Sequence, residues 1–69
     1  MTEQQRITYL AIKSYINKVG YSPTVRELCK MTNKSSPATV QAHLKKLKEK
    51  GYISIEKNKM RTIKIIKEV

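Results

Sequence analysis

The chain has 69 residues, and its 15 Lys and Arg residues against five Asp and Glu residues give a formal net charge of +10. This length predicts a single domain over residues 1–69 and excludes a deep catalytic cleft, because a small fold leaves most of its surface exposed. One cysteine excludes a disulfide framework, and the sequence has neither a signal peptide nor a membrane span, so a cytoplasmic protein is expected.

A first helix is predicted over about residues 3–18. Thr2 and Gln5 stand three residues apart, as in a capping box, in which each side chain accepts a hydrogen bond from the other residue's backbone N–H. Gly20 supplies the helix stop, because glycine readily takes the left-handed conformation that follows a last turn. The apolar residues that repeat at helical spacing are Tyr9, Ile12, Ile16 and Val19.

A second, shorter helix is predicted over about residues 25–31. Thr24 and Glu27 form a stronger capping box, and Asn33 suits the left-handed residue that closes a helix. A helix of two turns is not stable alone, so it must pack against its neighbours. The apolar side chains available for this packing are Val25, Leu28, Cys29 and Met31.

The segment SSPATVQAHLKKL, residues 35–47, predicts a third helix that covers about residues 37–50 and ends at Gly51. Ser36 is a good N-cap, because its hydroxyl can accept a hydrogen bond from an unpaired backbone N–H, and Pro37 fixes the backbone of the first turn. The apolar stripe of this helix is formed by Val40, Leu44 and Leu47.

After the third helix, the period of the hydrophobic residues changes from about 3.6 to 2. The segments YISIE and RTIKII therefore predict the two strands of a hairpin, and their link KNKM gives it a basic tip. The side chains expected to face the core are Ile53, Ile55, Ile63 and Ile65. The predicted fold class is thus α+β and mainly α: a three-helix winged helix-turn-helix with a C-terminal two-stranded β-hairpin wing.

Positive charge is concentrated in the second half of the chain. Residues 1–33 carry five basic and two acidic side chains, net +3, whereas residues 34–69 carry ten and three, net +7. This asymmetry favours a polyanionic partner, with nucleic acid the first candidate and an anionic membrane surface the second. The alternative is a charged surface that only keeps the protein soluble.

The side of the third helix opposite its apolar stripe suits the reading of bases. Two alanines let the backbone approach the floor of a major groove, and their methyl groups can pack on a thymine methyl. Gln41 has the paired donor and acceptor that match adenine, and Lys45 can reach a guanine edge or a phosphate. The alternative is an idle solvent face, because alanine is also the best helix former. The predicted base-reading residues are Ala38, Thr39, Gln41, Ala42 and Lys45.

A second set of residues suits contacts with the DNA backbone. Ser35 and Ser36 lie at a helix N-terminus, where free amides attract phosphate, and Lys34 adds charge in the same turn. The wing, residues 57–61, could follow a phosphate strand or enter a minor groove. The predicted backbone-contacting residues are Arg26, Lys34, Ser35, Ser36, Lys46, Lys57, Lys59 and Arg61.

The sequence offers no constellation of residues for catalysis or metal binding. His43 and Cys29 are the lone residues of their types and have no partners at the spacing of a metal site or a catalytic pair. No Gly-rich phosphate loop is present, and the glutamates are scattered. His43 is expected to pack as a structural residue, and no cofactor, metal or enzymatic activity is expected.

Three segments, GYSPTVREL, SSPATVQAHLKKL and KEKGYISI, together resemble the amino-terminal DNA-binding domain of the LexA repressor family. The resemblance covers nearly the whole chain and implies a winged helix-turn-helix that represses transcription by placing its third helix in the major groove. Well-known members carry Asn and Glu on the reading face, where this chain has Ala38, Gln41 and Ala42. Members also continue into a self-cleaving, dimerising Ser/Lys domain, whereas this chain ends at Val69, so the resemblance assigns neither autocleavage nor that dimer interface.

The sequence therefore predicts a sequence-specific double-stranded DNA-binding transcriptional repressor of bacterial or phage origin, located in the cytoplasm at the nucleoid. Helix 37–50 would read the major groove, and the 57–61 wing would contact the backbone. A second copy of the chain or another regulator is a further expected partner, whereas a membrane or a small-molecule substrate is not. The alternative is a protein-interaction module, an antirepressor or adaptor, on the same scaffold.

Overall fold

A computed structural model describes residues 1–32, 36–56 and 62–67 of the chain. These residues form three α-helices followed by a two-stranded antiparallel sheet, which confirms the predicted winged helix-turn-helix class. The elements are α1 (Glu3–Val19), α2 (Val25–Met31), α3 (Pro37–Glu49), β1 (Ile53–Ser54) and β2 (Lys64–Ile65).

Both predicted capping boxes are confirmed. At the start of α1, the Gln5 backbone N–H donates to Thr2 Oγ1 at 3.2 Å, and the Thr2 N–H donates to Gln5 Oε1 at 3.3 Å. At the start of α2, the Thr24 N–H donates to Glu27 Oε1 at 2.8 Å, and the Glu27 N–H returns a bond to Thr24 Oγ1 at 3.2 Å. Gly20 ends α1 with φ of +91°, a left-handed conformation that favours glycine.

The predicted hydroxyl cap of α3 is wrong. Ser36 occupies the N-cap position, but its side chain makes no capping hydrogen bond. Instead its backbone carbonyl accepts from the Thr39 N–H at 3.1 Å, so the first turn closes through the main chain. Pro37 at the first helical position contributes the preset backbone angle and has no N–H to satisfy.

The core of the described residues lies between the three helices and the sheet. Tyr9 and Ile12 of α1 are fully buried, and the predicted stripe of α3 is confirmed. Two apolar residues of the predicted helical repeats are largely exposed, Val19 at 39% and Met31 at 44%, and each is the last residue of its helix. The buried hydrophobic residues are Tyr9, Ile12, Leu28, Val40, Leu44, Leu47, Ile53 and Ile63.

The two strands are shorter than predicted, with two residues each, although their inward face is as expected. Ile53 pairs with Ile65, and Ile53 and Ile63 are buried while Ile55 and Ile65 pack against the core. Beyond the assigned strands, Thr62 Oγ1 accepts from the Glu56 N–H at 3.1 Å and keeps the two chain segments together.

Side chains anchor this base to the helical part of the domain. Ser22, which is buried in the α1–α2 link, accepts a hydrogen bond from the Ile63 N–H at 3.2 Å. Tyr9 of α1 donates its hydroxyl to the Lys67 carbonyl at 2.8 Å. Two hydrogen bonds, one from α1 and one from the α1–α2 link, therefore hold the base of the hairpin on the helices.

Candidate nucleic-acid interface

The third helix has one buried side and one exposed side. Val40 and Leu47 are fully buried against α1, α2 and β1, and Leu44 is 4% exposed. At about 100° per residue, the residues between these positions turn outward. The structure places all five predicted base-reading residues on the exposed side: Ala38, Thr39, Gln41, Ala42 and Lys45.

Near the start of α3, the exposed side carries mainly short side chains. Ala38 and Ala42 lie one turn apart and project only methyl groups, while Gln41 beside them projects an exposed amide. A B-DNA major groove is about 12 Å wide, so short outward side chains let a helix backbone come close to the base edges. The geometry can therefore present one amide and two methyl groups to a groove.

The charge of α3 increases toward its C-terminus. Lys45, Lys46 and Lys48 are exposed. Lys46 Nζ lies 3.7 Å from Glu49 Oε2, in an ion pair whose side chains are 60% and 52% exposed. Such a solvated pair is weak, so Lys46 keeps most of its attraction for an anion. The pairing with Glu49 was not predicted from sequence.

Two further predicted backbone-contacting residues lie in the part of the chain that the structure describes. Arg26 is exposed in the first turn of α2, and Ser36 is half-buried at the start of α3. Helix α2 packs against α3, so Arg26 belongs to the helix-turn-helix unit. The other predicted contacts, Lys34, Ser35, Lys57, Lys59 and Arg61, lie outside the described residues, as does Asn33.

His43 joins α3 to α1, in agreement with its expected structural role. Its Nδ1 lies 3.3 Å from Thr8 Oγ1, and the fully buried Thr8 donates its hydroxyl hydrogen to the Gln4 carbonyl at 3.1 Å. Thr8 Oγ1 and His43 Nδ1 thus share one hydrogen bond between α1 and α3. The contact fixes the position of α3 on α1, and no local sequence pattern indicated Thr8 as the partner.

A second polar contact between these helices lies near the C-terminus of α3. Lys50 Nζ donates to Gln5 Oε1 at 3.1 Å, and Gln5 is 8% exposed. The same amide oxygen belongs to the α1 capping box. Two hydrogen bonds, from the N-terminal half of α1 to His43 and to Lys50, therefore add to the apolar packing between α1 and α3.

Within residues 1–32, 36–56 and 62–67, no three His, Cys, Asp or Glu side chains are grouped so that they could hold a metal ion. Over the same residues, no helix has the length and hydrophobicity to cross a membrane.

Comparison with known proteins links this interface to one family. Residues 1–62 match the model of the LexA DNA binding domain. The chain is 40% identical over 68 residues to the LexA repressor of Carboxydothermus hydrogenoformans, a match that covers 99% of this chain and 33% of that protein. It is 46% identical over 67 residues to the LexA repressor of Desulfatibacillum aliphaticivorans, covering 97% of this chain and 33% of that protein.

A third relative has the same relation to the chain. The LexA repressor of Clostridium novyi is 46% identical over 66 residues, which cover 96% of this chain and 32% of that protein. The chain thus spans about a third of the length of the relatives it matches. Because the family model covers most of its residues, the chain belongs to the LexA DNA-binding domain family.

Proposed function

We propose that this chain is a sequence-specific, double-stranded DNA-binding domain of a transcriptional repressor, and that α3 reads the major groove. The observation that carries the proposal is the exposed side of α3, where Gln41 lies beside the small side chains of Ala38 and Ala42. Its relatives are named LexA repressors. The net charge of +10 supplies the long-range attraction to a polyanion.

In this proposal, the residues near the start of α3 distinguish bases. Gln41 pairs its amide with adenine, and the methyl groups of Ala38 and Ala42 pack on thymine methyls. Thr39 accepts or donates a hydrogen bond at the edge of the helix, and Lys45 reaches a guanine or a phosphate. The read sequence should differ from that of family members with longer polar side chains at these positions.

The remaining residues position the domain on the phosphates without distinguishing bases. Arg26 lies in the first turn of α2 and Ser36 at the start of α3, and Lys46 extends the proposed contact toward the end of α3. On sequence grounds alone, the set also includes Lys34, Ser35, Lys57, Lys59 and Arg61. We infer that residues 1–69 act as one binding unit located with the nucleoid, and that the unit itself has no enzymatic activity.

Selection of bound sites from a random duplex pool tests the proposal. A single preferred sequence, together with affinity that falls steeply as salt rises, would support base reading on top of counterion release. Absence of binding to any duplex at about 50 mM salt would contradict the proposal, because a domain that neutralises several phosphates binds tightly at low salt. That result would favour the protein-interaction alternative.

A further inference from the structure

The outward side of α1 carries exposed apolar residues with basic residues on both sides of them. At about 100° per residue, Ile7 and Leu10 lie next to each other on this side. Ile7 is 39% exposed and Leu10 is 50% exposed. By the same spacing, Arg6 and Lys13 lie along one edge of this apolar strip, and Lys18 lies along the other edge. The outward side thus combines exposed apolar surface with positive charge.

An open groove with a volume of about 570 Å³ lies on this side of α1. Its walls include Leu10, Lys13, Ser14 and Asn17, and Lys18 borders them. The first four are residues i, i+3, i+4 and i+7 of the helix, which together form the kind of hole that receives one side chain of a facing helix. The small side chain of Ser14 leaves space in this hole. The groove is therefore shaped to receive an apolar side chain from a partner helix.

This side of α1 faces away from the third helix. The polar contacts of α1 with α3 are made by Thr8, which bonds His43, and by Gln5, which bonds Lys50. At about 100° per residue, Thr8 and Gln5 lie on the opposite half of the helix circumference from Leu10. A helix bound to the outward side of α1 therefore leaves the exposed side of α3 uncovered.

We propose that the outward side of α1 binds an acidic amphipathic helix of another protein. The apolar face of that helix covers Ile7 and Leu10, and one of its apolar side chains enters the groove beside Ser14. Carboxylates along the two edges of that face lie opposite the basic residues of α1. This is the helix-in-groove mode of recognition, in which apolar residues at helical spacing act as anchors. Such a partner does not compete with DNA for α3.

Charge complementarity favours this occupant over the other candidates. Helix α1 contains three basic residues and one acidic residue, Glu3. A DNA backbone would meet the basic residues but offers no apolar surface to Ile7 and Leu10. An anionic membrane attracts the same charges, but helices that lie on membranes present a wide apolar face with Trp, Phe and Leu. This chain has no Trp or Phe, so an acidic protein helix fits the strip better.

A designed peptide tests this surface without DNA. The probe is a helical peptide of about 18 residues, with leucine on one face and glutamate along both edges of that face. We expect a Kd on the order of 100 µM at low salt, because one helix face buries less than the roughly 800 Å² per partner of stable complexes. In a titration of the 69-residue chain, backbone amide NMR shifts should be largest at Leu10, Ser14 and Asn17 and small at Gln41.

Two variants of the chain separate the apolar and the charged parts of the contact. Leu10→Ala should weaken peptide binding about fivefold, because it removes exposed apolar surface and retains a good helix former. Lys18→Gln should weaken binding about twofold to threefold and reduce its salt dependence. The matched controls lie on α2: Met31→Ala, at a position that is 44% exposed, and Lys30→Gln, at an exposed position in the last turn. Both controls should leave peptide binding unchanged.

Several outcomes would overturn the proposal. A peptide with the same composition in scrambled order lacks an apolar face, so it should bind at least about fivefold more weakly, and equal binding would contradict the proposal. Loss of binding in Lys46→Gln instead of Lys18→Gln would place the peptide on α3. Binding of phosphatidylserine vesicles, weakened by Leu10→Ala, without binding of the peptide would identify a membrane as the partner. Because these titrations contain no DNA, their failure leaves the proposed function to its own experiment.

Discussion

The exposed sides of α1 and α3 offer different surfaces, although both helices bury a similar apolar stripe. On α3 the outward residues near the helix start are two alanines and Gln41, whereas on α1 they include Ile7 and Leu10, which are 39% and 50% exposed. A DNA major groove admits a helix side with short side chains and hydrogen-bonding groups, whereas Ile7 and Leu10 are bulky and have no hydrogen-bonding group. The two buried stripes thus build one core, whereas the outward residues of the two helices differ in the contacts that they can make.

Adding a carboxylate to the exposed side of α3, at Ala42, should cause the largest loss of DNA affinity. We expect Ala42→Glu to weaken binding to a selected single site about 1,000-fold, because a carboxylate placed among phosphates costs several kcal/mol. Position 42 is exposed, so thermal unfolding should change little. The matched control is Ser14→Glu on α1, and fluorescence anisotropy with a labelled duplex measures both. Equal losses for the two variants would remove the distinction between the two faces.

Removing the Gln41 amide should reduce DNA affinity less, by an amount that depends on the DNA sequence. Gln41→Ala is expected to cost about 1–3 kcal/mol on the selected site and to relax the preference at one base pair. In contrast, Lys59→Ala should weaken binding to all sequences alike and reduce the salt slope by about one. Titration of the selected site and its single-base variants separates the two results. If both variants weakened every sequence equally, Gln41 would not read a base.

Much of this architecture can be predicted from the sequence, because its causes are local. The two capping boxes, the left-handed Gly20 and the buried stripe of α3 each depend on residues within one helix. The contact between Thr8 and His43 could not be predicted, since it joins residues 35 positions apart whose approach depends on how α1 packs on α3. The hydroxyl cap expected at Ser36 was wrong because the main chain already closes that turn.

Substituting the hydroxyl at the α1–α3 contact should affect stability instead of sequence preference. Thr8→Val keeps the shape of a fully buried side chain but removes the hydroxyl that hydrogen-bonds His43, so we expect a loss of about 1 kcal/mol in the free energy of unfolding. The same change at exposed Thr39 should leave stability within about 0.5 kcal/mol and alter base preference instead. Urea denaturation and titration of site variants give the two readouts. The reverse pattern would mean that Thr39 is structural and that Thr8 affects recognition.

We expect the smallest effect from Glu49, the acidic residue of α3. Glu49 partly neutralises Lys46, because Glu49 Oε2 lies 3.7 Å from Lys46 Nζ in an ion pair whose side chains are both more than half exposed. Glu49→Gln should tighten binding to all sequences by about twofold to threefold at low salt, because it removes a negative charge that faces the phosphates.

Glu3→Gln is the matched control for this change, since it removes the same charge from the outward side of α1 and should leave affinity for a single site unchanged. The increase in DNA affinity that Glu49→Gln causes should diminish as the salt concentration rises, because salt screens electrostatic attraction and repulsion alike. If the gain persisted at high salt, or appeared only on the preferred sequence, Glu49 would contact a base or reorient α3. The charge of α3 would then contribute to specificity as well as to attraction.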